Sequence, residues 1–149
     1  MPDDFGIDAS DFSRLAVDLR NVGHVSAEYL GPALEVTAVA IRDTARENAA
    51  GLAHAPRFPG SITYDFVGDA HGGGALGAFI GGRGSYDLEV EIGPDKERPQ
   101  GALGNLIEYG SVKNPPQGIM HGALQAHQDE LERGVTKAID DTHRAAGLL

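Results

Sequence analysis

The chain has 149 residues, 41% of them apolar and 6% aromatic, with no Trp and no Cys. That composition predicts a single domain over residues 1–149 with an aliphatic core, and it excludes a disulfide scaffold and thiolate metal sites. A formal net charge of −10 argues against a protein that grips phosphate, because nucleic-acid binding relies on a basic patch or stripe.

The absence of Cys fits folding in a reducing compartment. The opening "MPDDFGIDASDF" is acidic and has no apolar run, so no signal peptide is expected. No stretch approaches the roughly 20 apolar residues of a membrane span, and a soluble product of the cell interior is expected.

In chain order, Phe12, Leu15, Ala16, Leu19 and Val22 recur at helical spacing. They predict a first helix over about 9–22, capped by Asp8, Ser10 or Asp11 and stopped by Gly23. A second helix runs to about 52 on Leu30, Leu34, Ala38, Ile41, Ala45, Ala49 and Leu52. It begins at Ser26 or restarts with Pro32 in its first turn, and Gly51 ends it.

The period then changes to two. "SITYDFVG" alternates Ile62, Tyr64 and Phe66 against Thr63, Asp65 and Val67. "ALGAFIGG" and "YDLEVEIGP" continue the pattern, the latter with Leu88, Val90 and Ile92 inward and Glu89 and Glu91 outward. "GNLIEYG" reads as a fourth short strand, so a sheet of three or four strands is expected over about 61–110. A last helix, about 117–146, carries a stripe of Met120, Leu124, Leu131, Val135, Ala138, Ile139 and Ala145. Asp129 with Arg133 and Asp140 with Arg144 stand in the favourable i,i+4 order. Gly134 interrupts this helix at about 1 kcal/mol relative to Ala, as a bend or a close contact. The expected class is α+β: an antiparallel sheet with the long C-terminal helix packed on it, preceded by two N-terminal helices.

Catalytic patterns fail one after another. "HGGG" at His71 to Gly74 matches an oxyanion-hole string, but no Ser has Gly two positions before it, as a nucleophile elbow requires. "GGGALGAFIGGRGS" lacks the Lys-Ser/Thr ending of a phosphate loop and opens no helix. The histidines at 24, 54, 71, 121, 127 and 143 fall in no zinc spacing. Asp140, Asp141 and His143 diverge around a helix. Glu89 and Glu91 fall on the solvent side of their strand, where burial cannot tune a carboxylate. The expectation is a protein that is not an enzyme, with no cofactor and no metal, whose function lies in its surfaces.

The order of signals supplies more. A helix ending in "ARENAAGLAHAP" leads into "GSITYDF"; "EIGPDKERPQGALGNLIEYGSVKNPPQG" follows, and then a helix. Over residues 32–146 this resembles the head–tail joining, or tail-completion, protein family of long-tailed bacteriophages. That family has a helix running into a proline-bearing loop and a Ser-Ile-type first strand, here Ala45 to Pro56 and Ser61-Ile62. A strand ending in an acidic-aromatic-Gly-Ser step then leads through a proline-bearing loop to the last helix, here Glu108-Tyr109-Gly110-Ser111, Pro115-Pro116 and Met120 onward. The chain departs from the family in lacking an aspartate-threonine-glycine step before the first strand and a second proline just before the last helix.

The resemblance implies a structural virion protein made in the host cytoplasm. Copies form a ring in the phage neck, between portal-side connector proteins and the tail terminator or tail tube, and DNA passes through the lumen without specific binding. A tail terminator capping the tube and a small cytoplasmic interaction adaptor are the alternatives. Within this reading Gly101 and Gly104 admit the backbone to a short strand, Gly110 takes positive φ at its exit, and Leu106 and Tyr109 lie on opposite faces. Expected partner contacts are Arg83, Tyr86, Lys96, Arg98, Glu108, Tyr109 and Lys113.

Overall fold

The computed structural model describes residues 9–67 and 89–149. The order is helix α1 (Ala9–Asn48), a 3-10 turn (Phe58–Ser61), strands β1 (Ile62–Val67) and β2 (Glu89–Pro94), a second 3-10 turn (Gly101–Leu103), helix α2 (Gly104–Tyr109) and helix α3 (Ile119–Ala145). The class is α+β with an antiparallel two-stranded sheet and a long C-terminal helix.

Four expectations are corrected. The two N-terminal helices are one helix of 40 residues, which passes through Gly23 and Pro32 without a break. A proline inside a helix removes one backbone bond and costs about 3 kcal/mol. Around Pro32 the opposing term is packing: Gly31 is buried and Leu30, Ala33 and Leu34 are half-buried. "GNLIEY" is helical, so the fourth strand does not exist. The family-like acidic-aromatic-Gly step therefore ends a helical turn here and not a strand. The third strand expected at "ALGAFIGG" lies outside the described residues, as do Leu88 and the "HGGG" string.

The third correction concerns layers. The sheet rests on α1, and α3 runs antiparallel along α1 rather than across the sheet. Register pairs Ile62 with Pro94, Tyr64 with Ile92 and Phe66 with Val90, which places these apolar residues on one face. That face meets α1. Arg46 donates from Nε and Nη2 to the Ile62 carbonyl at 3.0 and 2.8 Å, the Tyr64 hydroxyl donates to Glu35 Oε1 at 3.1 Å, and Arg42 lies over the Tyr64 ring at 5.4 Å.

The last correction is to the stripe of α3. Leu124, Ile139 and Ala145 are exposed, whereas Ile119, Ala123, Ala138 and Thr142 are the buried positions. The facing side of α1 contributes Thr37, Ala38, Ile41 and Ala45, with Ala49 just beyond its end. Alanine on both helices lets them approach closely, a contact that a search for large apolar residues overlooks. Asn48 Nδ2 donates to the Ile119 carbonyl at 3.5 Å, and His127 Nε2 meets Thr44 Oγ1 at 2.8 Å, with its Nδ1 2.8 Å from Glu130 Oε2. Arg144 pairs with Asp141 at 3.3 Å in place of Asp140, and Asp129 and Arg133 form no ion pair among the described residues. Phe58, Ser61 and Ile62 close the core beneath the strands; the Ser61 hydroxyl donates to the Phe58 carbonyl at 2.7 Å.

Candidate interaction surface

Residues 101–118 connect β2 to α3, and their glycines serve contacts rather than strand entry. A Cβ on Gly101 would lie 1.7 Å from the Asp95 carbonyl oxygen, and one on Gly104 would lie 2.3 Å from the Pro94 ring. Only a residue without a side chain lets the chain double back so tightly over the end of β2. Gly110 has φ +76, as expected, and also abuts the 114–116 backbone. Its N–H closes α2 on the Leu106 carbonyl at 3.0 Å.

The loop beyond is tied to itself and to α2. Ser111 and Asn114 exchange backbone bonds at 2.8 and 3.3 Å, and the N–H groups of Gln117 and Gly118 return to the carbonyls of Ile107 and Glu108 at 2.9 and 3.2 Å. Gly118 stands at φ +58 and offers no side-chain cap to α3. Glu108 supplies it from a distance: its two carboxylate oxygens accept the N–H groups of Met120 and His121, each at 2.9 Å. These are donors left open in a first helical turn, where a negative charge also meets the positive end of the helix dipole.

The helical form of 104–109 changes what the loop presents. Leu106 and Tyr109, expected on opposite faces, are three apart on a helix and share one. Ile107 packs toward the core. Leu106 is 42% exposed, Tyr109 77%, and the neighbouring Val112 is fully exposed. Together they form an apolar ridge. Beside it lies a cleft of about 470 Å³ between β2 and the first turns of α3, with Val90, Ile92, Tyr109, Met120 and Leu124 among its walls.

The expected contact residues divide accordingly. Tyr109 and Lys113 are exposed on and beside the ridge, and Lys96 is exposed in the turn after β2. Arg98 is also exposed but engaged, with Nε 3.4 Å from Asp95 Oδ2 and Nη1 3.5 Å from the Gly60 carbonyl. Glu108 faces α3 and acts as its cap. Arg83 and Tyr86 lie outside the described residues. Sequence reasoning missed Leu106 and Val112 as ridge members, because the strand assignment set Leu106 and Tyr109 on opposite faces.

A second surface has the opposite character. On the outer face of the β1–β2 ribbon Asp65 stands directly across from Glu91, and Glu89 follows two residues before it; all three are exposed. None forms an ion pair among the described residues. Like charges opposite one another in a ladder are destabilising, so this face is retained at a cost in stability. Among the described residues no group of His, Asp or Glu is arranged to hold a metal ion, and no helix is long and apolar enough to cross a membrane.

No protein-family model matches the chain, and comparison with characterised proteins and with solved structures finds no similar one.

Proposed function

We propose that the protein is a structural subunit of a phage neck, forming a ring that joins the head connector to the tail terminator or tail tube. The observation that carries this reading is the pairing of two unlike surfaces on one small scaffold: the apolar ridge of Leu106, Tyr109 and Val112, and the uncompensated acidic face of Asp65, Glu89 and Glu91. A ring subunit needs a contact surface for its neighbours and a lumen surface that DNA does not adhere to. Exposed aromatic and aliphatic side chains suit the first, and a carboxylate face that repels phosphate suits the second.

The succession of elements supports it too. A helix enters a proline-bearing loop and a Ser61-Ile62 strand start, and a Gly- and Pro-bearing connection leads to a long last helix. In this reading the sheet gains a third strand from "ALGAFIGG", Arg83 and Tyr86 lie beside the ring contact with Lys96 and Lys113, and the protein needs neither cofactor nor catalytic group. Assembly follows contact with the head connector, and heterologous contacts close the ring.

The test is complementation of a phage lacking this protein with a Tyr109→Glu, Leu106→Glu double variant. The expected result is full heads and finished tails that accumulate unjoined, while the purified variant keeps its helical circular dichroism. Normal particle yield from a variant so changed would overturn the assignment of the ridge.

A further inference from the structure

The apolar ridge and the cleft beside it lie on one face, and that face is nearly free of charge. Charged side chains make up 23% of the chain, yet the 30 residues from Pro99 to Gln128 hold only two, Glu108 and Lys113. The centres of protein interfaces are depleted in charge in the same way. The cleft of about 470 Å³ reaches down to the core. Buried Ile41 and Phe58 form its floor, and Val90, Ile92, Met120 and Leu124 stand along its walls.

The two charges are divided between recess and projection. Among Asp, Glu, Lys and Arg side chains, only Glu108 lines the cleft. Lys113 follows Val112 at the end of the ridge, exposed and without an ion pair among the described residues. Tyr109 belongs to both features, as a member of the ridge and as a wall of the cleft.

We infer that the ridge of a second copy of this chain fills the cleft, and reciprocally, in a two-fold dimer whose axis passes beside Tyr109. A projection and a recess set side by side on one face meet in both directions at once under a two-fold rotation. The same rotation brings Lys113 of each copy toward Glu108 of the other, a cation on the projection and a carboxylate in the recess. Net charge also selects this face for a contact between copies. At −10 two copies repel one another over most of their surfaces. Here the two charges cancel, and the copies approach without that cost.

This inference rests on the reading of the ridge as a contact surface and adds its control. A two-fold pair closes on itself and cannot propagate into a ring. The dimer therefore keeps the ridge covered in the free protein, and a ring neighbour has to displace it.

Sedimentation velocity of the full chain at about 50 µM, a concentration well above a micromolar Kd, should give a species of twice the 15.6 kDa chain mass. Tyr109→Glu on the ridge and Leu124→Glu in the cleft should each weaken association on the order of 100-fold. Each acts twice in a two-fold pair and forces a charge into an apolar contact. Lys113→Glu, which sets two carboxylates together, should weaken it on the order of 10-fold. Val36→Glu, at a 64% exposed position on helix α1 away from the ridge and cleft, should leave the dimer intact. Far-ultraviolet circular dichroism should keep the helical signal in all four variants. A parent that is monomeric at 50 µM overturns the inference. So does a dimer that survives either Tyr109→Glu or Leu124→Glu, or one that Val36→Glu dissociates. The two readings fail separately: a monomeric parent leaves the particle-joining test of the ridge standing, and normal particle yield from the ridge variant leaves the dimer standing.

Discussion

Glu108 offers the sharpest test of how the connection to α3 is held. Its carboxylate spans from α2 to two N–H groups in the first turn of α3, each at 2.9 Å, where Gly118 has no side chain to do so. A side-chain cap contributes about 0.5–2 kcal/mol, and a negative charge at a helix start adds about 0.3–1 kcal/mol. Glu108→Ala should therefore cost about 2 kcal/mol. For a chain of this length that corresponds to a fall in Tm of about 4–8 °C. Alanine is the better helix former at position 108, so the loss cannot come from α2 itself. Glu108→Gln keeps one acceptor oxygen and should lose about half as much. Urea denaturation followed by circular dichroism gives the free energies, and exposed Glu97→Ala serves as the reference, with a change within about 0.5 kcal/mol. Amide exchange localises the effect: protection at Met120 and His121 should drop by roughly 30-fold if they open locally. A Glu108→Ala protein as stable as Glu97→Ala would refute the capping role and return Glu108 to the surface.

Glycine substitutions should separate by position. Gly101→Ala and Gly104→Ala force a methyl into the Asp95 carbonyl and the Pro94 ring and should each cost about 2–3 kcal/mol in urea midpoints. Gly134→Ala, in open space on a helix, should gain about 1 kcal/mol in the same assay. On the acidic face, Glu91→Lys replaces a repulsion across from Asp65 with an attraction and should stabilise by about 0.2–1 kcal/mol; a loss would contradict the register. Tyr64→Phe removes the bond to Glu35 and should cost about 1 kcal/mol at neutral pH. That bond, then burial and the Glu35 charge, hold the phenol proton and raise its pKa above the ordinary 10.0. The stabilisation is complete below the ordinary value and is lost as pH climbs through the raised one. Above pH 10.0 the urea midpoint of the parent should thus fall more steeply than that of Tyr64→Phe.

Much of the fold was legible in the sequence, and the failures have physical causes. The end of α1 was readable near Gly51, which stands at positive φ, and the last helix, expected from about 117, begins at Ile119. The pairing faces of β1 and β2 followed from strict alternation. Gly23 and Pro32 misled; at Pro32 a local breaker cost of about 3 kcal/mol is opposed by the packing of buried Gly31 and half-buried Leu30, Ala33 and Leu34. "GNLIEY" misled for a different reason: six residues give too few turns for periodicity to separate helix from strand. The feature that decides it, a carboxylate reaching amides twelve residues on, belongs to tertiary structure. The same error hid the ridge, because the face of Leu106 depends on whether its neighbour is two or three positions away. The Ala-lined contact of α1 with α3 was masked by the larger residues Leu124 and Ile139, which the sequence offers more conspicuously and the fold leaves outside.

The central claim is the place of this chain in an assembled particle, and cryo-electron microscopy of the intact phage neck addresses it most directly. The account predicts a ring of this chain between head connector and tail tube, with Leu106 and Tyr109 at the contact between subunits and Asp65, Glu89 and Glu91 turned to the DNA channel. A particle whose neck density contains no copy of the chain, or a ring with the acidic ribbon face turned outward, would contradict it.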